Sequence, residues 1–285
     1  MRNALVVSLI ALCLIGCESS SRGVVPLVNA HAHNDYNHTR PLLDALDCGF
    51  CSIEADVALV DGHILVTHDP KRADPQRTLE SLYLRPLESR VGRDKRIYHN
   101  GPSVILLIDC KSPPRQLYQP LRELLLKHKA MLTTWENGRR HEGAVTVVLT
   151  GVHPSPAEIE SESTRVVAVD GTYADIDSDV SPELMPQIAI DWKSKLSWRA
   201  YGPISDEDRH TLNDLVRRAH AHGRTIRLWN APDWPRAWDE LLRDGVDYIN
   251  SDDLIGLREF LLNRATSRPY IRRTPTSSLP GPESK

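Results

Sequence analysis

Short apolar segments alternate with amphipathic segments along most of the chain. The apolar segments lack polar alternation, which is typical of parallel strands that are covered on both faces. The amphipathic segments carry apolar residues three and four positions apart, the spacing of a helix that packs by one face. The predicted strands span residues 27–33, 52–59, 103–111, 144–150, 165–171, 187–192, 225–230 and 248–252. The predicted helices span residues 41–47, 78–87, 116–131, 206–221, 234–243 and 253–265.

Eight strands that mostly alternate with helices predict an α/β fold of the (β/α)8 TIM-barrel class. Such a barrel usually takes about 250 residues, and this chain has 285 residues with 40% hydrophobic content. We therefore expect one domain over residues 25–265 rather than two small domains. Polar residues lie near the ends of all eight predicted strands, at the face where such barrels place their chemistry. These residues are His33, Asp56, Asp109, Thr150, Asp170, Asp191, Asn230 and Asp252.

The strand 52–59 carries two carboxylates, Glu54 and Asp56, within a largely apolar sequence. Side chains two positions apart on a strand point to the same face, so the two acids project side by side from a mostly buried segment. Buried charge is unfavourable unless a cation or several hydrogen bonds compensate it. A further short strand, 63–67, then delivers His68. This combination predicts a metal-assisted acid–base site. An exposed edge hairpin with ordinary surface charges is the structural alternative.

A longer pattern around these acids resembles the signature of the glycerophosphodiester phosphodiesterase superfamily. That superfamily includes phosphatidylinositol-specific phospholipase C and the spider-type sphingomyelinase D enzymes. The matching residues are Gly49, Ile53, Glu54, Asp56, Val57, Asp61, Gly62, Val66, His68 and Asp69. The resemblance implies a (β/α)8 barrel of the PI-PLC-like phosphodiesterase type. It also implies a phosphoric diester hydrolase acting on glycerophosphodiesters or phospholipid headgroups. Membership of the sphingomyelinase D-like branch of the superfamily is one form of this expectation.

The resemblance implies a general acid–base pair made of His33 and His68, with Asp69 placed to orient His68. In the superfamily, the first strand ends in a catalytic His followed by Arg; His33 matches the His, whereas Asn34 replaces the Arg. Asn34 would bind the phosphate through a hydrogen bond but without charge. Lys111, at the end of the third strand, would neutralise charge on the phosphate. The nucleophile would be water or a hydroxyl group of the substrate itself.

The same resemblance implies that Glu54, Asp56 and Asp109 are the ligands of one metal ion. Three carboxylates without a Cys or His ligand suit a hard cation, Mg²⁺ or Ca²⁺. A buried ion pair between Asp109 and its neighbour in the Asp-Cys-Lys sequence is the structural alternative. The resemblance further implies that Trp229 packs against the substrate headgroup and that Asp252 lies near the site. A Trp229 that only fills the core is the structural alternative.

Residues 1–17 have the pattern of an export signal, with a positive start and a short apolar core. The segment ends in Leu-Ile-Gly-Cys17, which resembles the bacterial lipobox and would make Cys17 a lipidated residue. We therefore expect an exported, membrane-anchored bacterial lipoprotein on the periplasmic or cell-surface side, with residues 18–24 as a polar tether. A plain secretory signal with an incidental cysteine is the alternative. The tail 266–285, rich in Pro, Ser and Arg, is predicted to be disordered.

The charge balance argues against a nucleic-acid partner. The formal net charge is −3 and the sequence pI is about 6.5, whereas nucleic-acid-binding domains carry an excess of basic residues. Beyond the N-terminus, no apolar run approaches the roughly 20 residues that a membrane span requires. The expected partner is a phosphodiester or phospholipid substrate, and we expect a monomer.

Two other functions compete with a phosphodiesterase. A surface lipoprotein could bind a lipid or sugar headgroup without turnover, an alternative that rests on Asn34. The sequence His31-Ala-His33 also resembles the first strand of metal-dependent amidohydrolases and PHP-type phosphoesterases. Those enzymes need further His or Lys ligands on the middle strands, where only His153 lies nearby. Otherwise, His31 is expected to be a core residue or to contact the functional side chains without touching the substrate itself.

Overall fold

In the computed structural model, which describes residues 23–267, eight parallel strands form the central sheet. Their order around the sheet is their order along the chain. The first strand pairs with the eighth through Ala30 and Ile249, and a bridge between Arg227 and Tyr248 joins the seventh strand to the segment before the eighth. The sheet therefore closes, and the predicted (β/α)8 barrel is confirmed. The eight strands are Leu27–Ala32, Phe50–Val60, Val104–Cys110, Val145–Gly151, Ala168–Gly171, Gln187–Asp191, Thr225–Trp229 and Ile249–Ser251.

Helices cover the outside of the barrel and bury apolar side chains at helical spacing. In the helix after the third strand, Leu117, Leu121 and Leu125 face the barrel and are buried, as expected of an amphipathic helix. The α-helices are Leu43–Asp47, Arg85–Arg90, Pro114–Lys127, Pro156–Glu160, Trp192–Lys195, Asp206–Ala221, Pro235–Arg243 and Leu254–Ser267. Shorter helical turns are Asp35–Asn37, Pro70–Arg72 and Tyr173–Asp175, and a π-helical segment, Glu80–Leu84, precedes the second α-helix.

The second strand continues into a hairpin, as predicted. Asp61 and Gly62 both have positive φ, at 49° and 78°, which matches the turn type that joins two antiparallel strands by two residues. The antiparallel strand His63–Val66 follows. Glu54 and Asp56 are only 5% and 1% exposed, so the alternative of a surface hairpin with ordinary charges does not hold.

A small antiparallel sheet beside the barrel was not predicted. Its strands are Thr134–Glu136, Arg139–His141 and Thr164–Arg165. Because of this sheet, the predicted strand 165–171 is divided, and only Ala168–Gly171 belongs to the barrel. The sequence does contain a signal for it, since Asn137-Gly138 is a strong hairpin turn and both residues have positive φ.

The unpredicted sheet places Trp135 against the barrel interior. The side chain is 7% exposed and packs with Leu107, Val148 and Ala168 in an apolar cluster. The Arg165 guanidinium lies 3.7 Å from the centre of the Trp135 ring, within the range of a cation–π contact. The ring therefore fills part of the barrel interior on the side of the third, fourth and fifth strands.

The cysteines of the described region are free, and the predicted terminal segments fall outside it. Cys51 and Cys110 are buried, Cys48 is partly buried, and none is paired. Burial raises the pKa of the Cys51 and Cys110 thiols to about 12, so neither thiol is reactive at neutral pH. The predicted signal segment 1–17 with Cys17, most of the tether and nearly all of the predicted tail lie outside residues 23–267.

Candidate active site

Three carboxylates converge at the carboxyl ends of the second and third strands. Asp56 lies directly opposite Asp109 in the parallel ladder, and Glu54 precedes Asp56 by two residues on the same face. One oxygen from each group lies within 4.8 Å of the others. Across residues 23–267, this is the one group of at least three acidic, His or Cys side chains close enough to share a metal ion. The three predicted metal ligands are therefore brought together.

A glycine on the fourth strand makes room for this cluster. Gly151 has a φ of +72°, and a Cβ atom at this position would lie 2.2 Å from Asp109 Oδ1. Its neighbour Thr150 stands opposite Asp109 in the ladder. Both the backbone conformation and the close approach favour glycine here, so the fourth strand helps to fix the direction of the Asp109 carboxylate.

Lys111 supplies positive charge to the carboxylate cluster. Its Nζ atom donates to Asp109 Oδ2 at 2.8 Å and lies 3.3 Å from Asp56 Oδ2. Burial lowers the pKa of Lys111, but its hydrogen bond to Asp109 and its attraction to Asp56 outweigh burial and raise it. Burial, with repulsion from Glu54 and Asp109, raises the pKa of Asp56 to about 6 despite the opposing charge of Lys111.

The donor set of the cluster fits a hard divalent cation. Three carboxylates face one ammonium group, so the cluster retains excess negative charge when all three are ionised. Burial is the largest cause of the raised pKa of Asp56, and repulsion from Glu54 and Asp109 adds to it. Oxygen ligands alone, without sulfur or nitrogen, are the preference of Mg²⁺ and Ca²⁺.

A buried network of polar side chains surrounds the Glu54 carboxylate. Arg227 Nη1, on the seventh strand, lies 3.7 Å from Glu54 Oε2 and donates to Asn250 Oδ1 at 2.9 Å. His31 Nε2 lies 3.3 Å from the same Glu54 oxygen, and its Nδ1 lies 2.8 Å from Ser52 Oγ. Burial would raise the pKa of Glu54, but Arg227 and then His31 hold it well below its ordinary value. Glu54 is therefore kept ionised although it is almost fully enclosed.

His31 belongs to this network as a neutral side chain. It is fully buried, and burial, followed by repulsion from Arg227, lowers its pKa to about 4. A neutral imidazole donates from one nitrogen and accepts at the other. His31 can therefore donate from Nε2 to Glu54 and accept at Nδ1 from the Ser52 hydroxyl. The expectation that His31 contacts the functional side chains agrees with these contacts.

The predicted catalytic His33 is held by Asp252. His33 Nδ1 lies 2.9 Å from Asp252 Oδ1. Burial lowers the pKa of His33, but the hydrogen bond to Asp252 and the charge of Glu54 outweigh burial and raise it. The imidazole in turn lowers the pKa of Asp252. Asn34 Nδ2 lies 2.9 Å from the same His33 nitrogen, and the Asn34 backbone is left-handed, with φ at 47°.

His68 reaches the cavity from a different direction. It follows the hairpin strand His63–Val66 and is exposed. The suggestion that Asp69 orients His68 finds no support, because the Asp69 carboxylate accepts instead from the Lys71 backbone N–H at 3.0 Å. That contact caps the helical turn Pro70–Arg72.

One cavity of about 610 Å³ joins nearly all of the predicted site. Asp252 does not line it and touches the site through His33. The predicted residues that line the cavity are His33, Asn34, Glu54, Asp56, His68, Asp109, Lys111 and Trp229. The structure therefore gathers both imidazoles, the three acids and the ammonium group around a single space.

Three further residues of the site had no predicted role. Arg227 was overlooked inside the seventh strand, although it interrupts an apolar run just as Glu54 does. Asp170 was noted only as a strand end, yet it lines the cavity and is 6% exposed. The Tyr36 hydroxyl lies 2.9 Å from Asn34 Oδ1 and 3.0 Å from Asp56 Oδ2, a contact from a short turn that no sequence periodicity reveals.

The alternative of a His-x-His metal hydrolase finds no support in this geometry. His31 contacts Ser52 and Glu54 inside the barrel, whereas His33 contacts Asp252. Among residues 23–267, the group of potential metal ligands contains no histidine. His153 lines the cavity, but its Nδ1 lies 2.7 Å from the Pro154 carbonyl oxygen.

The chain is similar to a phosphodiesterase domain family and to fungal proteins. Residues 18–170 match a family model described as an AIM6-like phosphodiesterase domain. The protein named altered inheritance of mitochondria protein 6 from Eremothecium gossypii is 31% identical over 277 residues, covering 84% of this chain and 71% of that protein. The homologue from Arthroderma benhamiae is 27% identical over 268 residues, covering 82% of this chain and 83% of that protein. The predicted relationship to phosphodiesterases of this superfamily is confirmed.

Two solved structures show a weak similarity to this chain. A glycerophosphodiester phosphodiesterase from Parabacteroides distasonis has a TM-score of 0.48 and 17% identity, covering 85% of this chain and 98% of that one. A glycerophosphodiester phosphodiesterase from Agrobacterium tumefaciens has a TM-score of 0.43 and 17% identity, covering 81% of this chain and all of that one. Similarity at this level carries no information about activity.

The predicted location as an exported, membrane-anchored bacterial lipoprotein is wrong. The relatives are fungal proteins rather than bacterial lipoproteins. The prediction depended on Leu-Ile-Gly-Cys17, and a pattern this short after an apolar stretch arises easily by chance. Between residues 23 and 267, no helix has the length and apolar character needed to cross a bilayer.

Proposed function

Because the chain belongs to the family of AIM6-like phosphodiesterase domains, we propose that it is a phosphoric diester hydrolase that uses one divalent cation. The observation that carries the proposal is the convergence of three carboxylates, two imidazoles and one ammonium group on a single cavity. Glycerophosphodiesters or phospholipid headgroups are the proposed substrates. We propose that the active form is a monomer.

The cation, Mg²⁺ or Ca²⁺, would be held by Glu54, Asp56 and Asp109. When bound, it would polarise a phosphoryl oxygen and lower the pKa of the attacking hydroxyl or water. Lys111 adds a positive charge beside Asp109, where it would stabilise the negative charge that grows on the phosphoryl oxygens. The low pKa of Glu54 keeps one ligand ionised at all ordinary pH values.

The two imidazoles divide the proton transfers, since cleavage of a phosphodiester needs one proton removed and one delivered. The contact with Asp252 raises the pKa of His33, which favours the protonated form and the role of general acid. His68 then serves as the general base that takes the proton of the nucleophile. The nucleophile is either water or a hydroxyl group of the substrate, and in the second case the product is a cyclic phosphate.

The first test is hydrolysis of bis(p-nitrophenyl) phosphate and glycerophosphocholine by the full chain. We expect turnover that EDTA abolishes and that Mg²⁺ or Ca²⁺ restores. Replacing the proposed base, His68→Ala, should lower kcat/KM by about 10²–10⁴-fold. His63→Ala is the matched control, because His63 is an exposed imidazole that does not line the cavity.

A protein that binds headgroups without turnover remains the competing function. Its support is Asn34, whose side chain contacts His33 and Tyr36 and brings no charge to the cavity. Phosphodiester binding without hydrolysis of either substrate, with every divalent cation tried, would replace the hydrolase proposal with this one.

A further inference from the structure

The turn after the first strand carries a side chain that contacts a proposed cation ligand without being a ligand itself. Tyr36 lies in the helical turn Asp35–Asn37. Its hydroxyl oxygen lies 3.0 Å from Asp56 Oδ2 and 2.9 Å from Asn34 Oδ1. A tyrosine hydroxyl keeps its single proton at neutral pH and can donate to one oxygen at a time. Because an ionised carboxylate is the stronger acceptor, the hydroxyl of Tyr36 donates to Asp56.

The Asp56 carboxylate oxygen that faces Tyr36 also faces an ammonium group. Lys111 Nζ lies 3.3 Å from Asp56 Oδ2, but it lies closer to Asp109 Oδ2, at 2.8 Å. The lysine side chain is flexible and shared between the two acids, so it is a weak constraint on the direction of either one. The phenol ring of Tyr36 is rigid, and its hydroxyl group contacts Asp56 alone among the three proposed cation ligands.

A buried acid anchors the turn that carries Tyr36. Asp35 is fully buried, and its Oδ2 atom accepts from the Leu42 backbone N–H at 2.5 Å and from the Tyr83 hydroxyl at 2.8 Å. The carbonyl oxygen of Tyr36 itself accepts from Arg77 Nη2 at 2.5 Å. Both the backbone and the neighbouring side chain of Tyr36 are therefore fixed by hydrogen bonds.

The anchor includes a strained backbone position. Leu42 has a φ of 65° and a ψ of −50°, and the Leu43 N–H donates to the Pro41 carbonyl oxygen at 2.8 Å. This is a γ-turn of the rare, strained type. Such strain persists only where the surroundings hold the backbone in place, and here the Leu42 N–H binds the Asp35 carboxylate. The turn is therefore held in one conformation at an energetic cost, as is common beside functional sites.

We propose that Tyr36 is a positioning residue that orients the Asp56 carboxylate for binding a divalent cation. This inference rests on the proposed function, which places the cation at Glu54, Asp56 and Asp109. A group that hydrogen-bonds to a metal ligand fixes the orientation of that ligand, and its loss typically lowers metal affinity by about 10–100-fold.

Direct contact with the substrate is the competing role for Tyr36. Its side chain does not line the cavity, whereas its neighbour Asn34 does. A hydroxyl group that acted on the substrate would have to face this space. The position behind Asp56 therefore favours an effect on the cation ligand.

The experiment measures cation binding by the full chain without substrate. The protein is stripped with EDTA and dialysed, and its melting temperature is followed against the concentration of Mg²⁺ or Ca²⁺, since a ligand that binds only the folded state raises it. Tyr36→Phe removes the hydroxyl group and keeps the ring. We expect this variant to raise the Kd of the cation by about 10–100-fold. The melting temperature before cation is added shows whether the variant is folded.

The second measurement is the cation dependence of phosphodiester hydrolysis. Tyr36→Phe should need about 10–100-fold more cation for half of its maximal rate. Most of the lost rate should return at saturating cation, because the positioning role acts through cation binding. A merely structural role would lower the melting temperature without shifting this midpoint.

Tyr118→Phe is the matched control. The Tyr118 hydroxyl also donates to a carboxylate, Glu162 Oε1, at 2.7 Å. This contact lies on the helix Pro114–Lys127, and neither residue lines the cavity. The control therefore loses the same kind of hydrogen bond, and its Kd for the cation should equal that of the wild type.

Three results would overturn the inference. One is an unchanged Kd in Tyr36→Phe, and another is an equal loss of affinity in Tyr118→Phe. The third is a fall in kcat that saturating cation does not restore, which would make Tyr36 a residue that touches the substrate. Failure of the hydrolase proposal is a separate result: a wild-type chain that binds the cation but hydrolyses no phosphodiester refutes that proposal, and the comparison of Kd values still decides the role of Tyr36.

Discussion

The inner surface of the barrel has two walls: one buries polar and charged side chains, and the other buries apolar side chains. The polar wall, on the first, second, seventh and eighth strands, consists of His31, Ser52, Glu54, Arg227 and Asn250. The apolar wall, on the third to fifth strands, consists of Leu107, Val148 and Ala168 with Trp135 packed against them. The polar wall holds a buried carboxylate through charge and hydrogen bonds, whereas the apolar wall faces the barrel interior with packed apolar side chains.

Two carboxylates show how this difference affects the pKa of a buried acid. Glu54 and Asp170 are similarly buried, at 5% and 6% exposure. Beside Arg227, Glu54 has a lowered pKa. Above the apolar wall, burial raises the pKa of Asp170 to about 7, although the more remote charge of Arg227 opposes the shift. Burial alone therefore does not decide ionisation; neighbouring charges and hydrogen bonds, Arg227 first among them for Glu54, decide it as well.

Removing the guanidinium should have the largest effect on stability. Arg227→Met leaves Glu54 as a buried charge without its cation, which is expected to lower the free energy of unfolding by about 3–5 kcal/mol. The double variant Glu54→Gln/Arg227→Met removes both charges and should recover most of that loss, though not the activity. Urea denaturation of the wild type and both variants measures these values. A double variant as unstable as the single one would show that Arg227 acts through packing.

The apolar wall should respond differently to a comparable deletion. Leu107→Ala is expected to lower the free energy of unfolding by about 2–5 kcal/mol, because it removes a fully buried side chain and leaves a cavity. Phosphodiesterase activity measured well below the unfolding temperature should change little, since Leu107 does not line the cavity. A large fall in kcat/KM for the folded variant would mean that the apolar wall also positions the site.

Much of this arrangement was predictable from the sequence, and the exceptions have physical reasons. The strands and the inward acids were recognised because charge interrupts an apolar run and because side chains two apart share a face. The same rule applies to Arg227, but its partner Glu54 lies 173 positions earlier in the chain, so the pairing appears only when the barrel closes. The Trp135 sheet was missed because its strands have only two or three residues.

The smallest expected effect is the pH dependence that comes from Asp170. Its pKa in the folded protein, about 7, lies above the value near 3.9 of an unfolded Asp. The folded state therefore holds this proton more tightly, and the stabilisation is complete below about pH 4 and is lost as the pH rises through 7. Asp170→Asn removes the ionisable group, so the variant should be more stable than the wild type at pH 8, by about 1–3 kcal/mol.

Urea denaturation at pH 5 and pH 8, with EDTA present, measures this difference directly. The raised pKa of Asp56 also reduces stability as the pH rises, but it does so equally in both proteins, and the difference between them isolates Asp170. The gain from Asp170→Asn should therefore be larger at pH 8 than at pH 5. An equal gain at both pH values would mean that Asp170 does not change its ionisation between pH 5 and pH 8, and it would remove the contrast between the two walls.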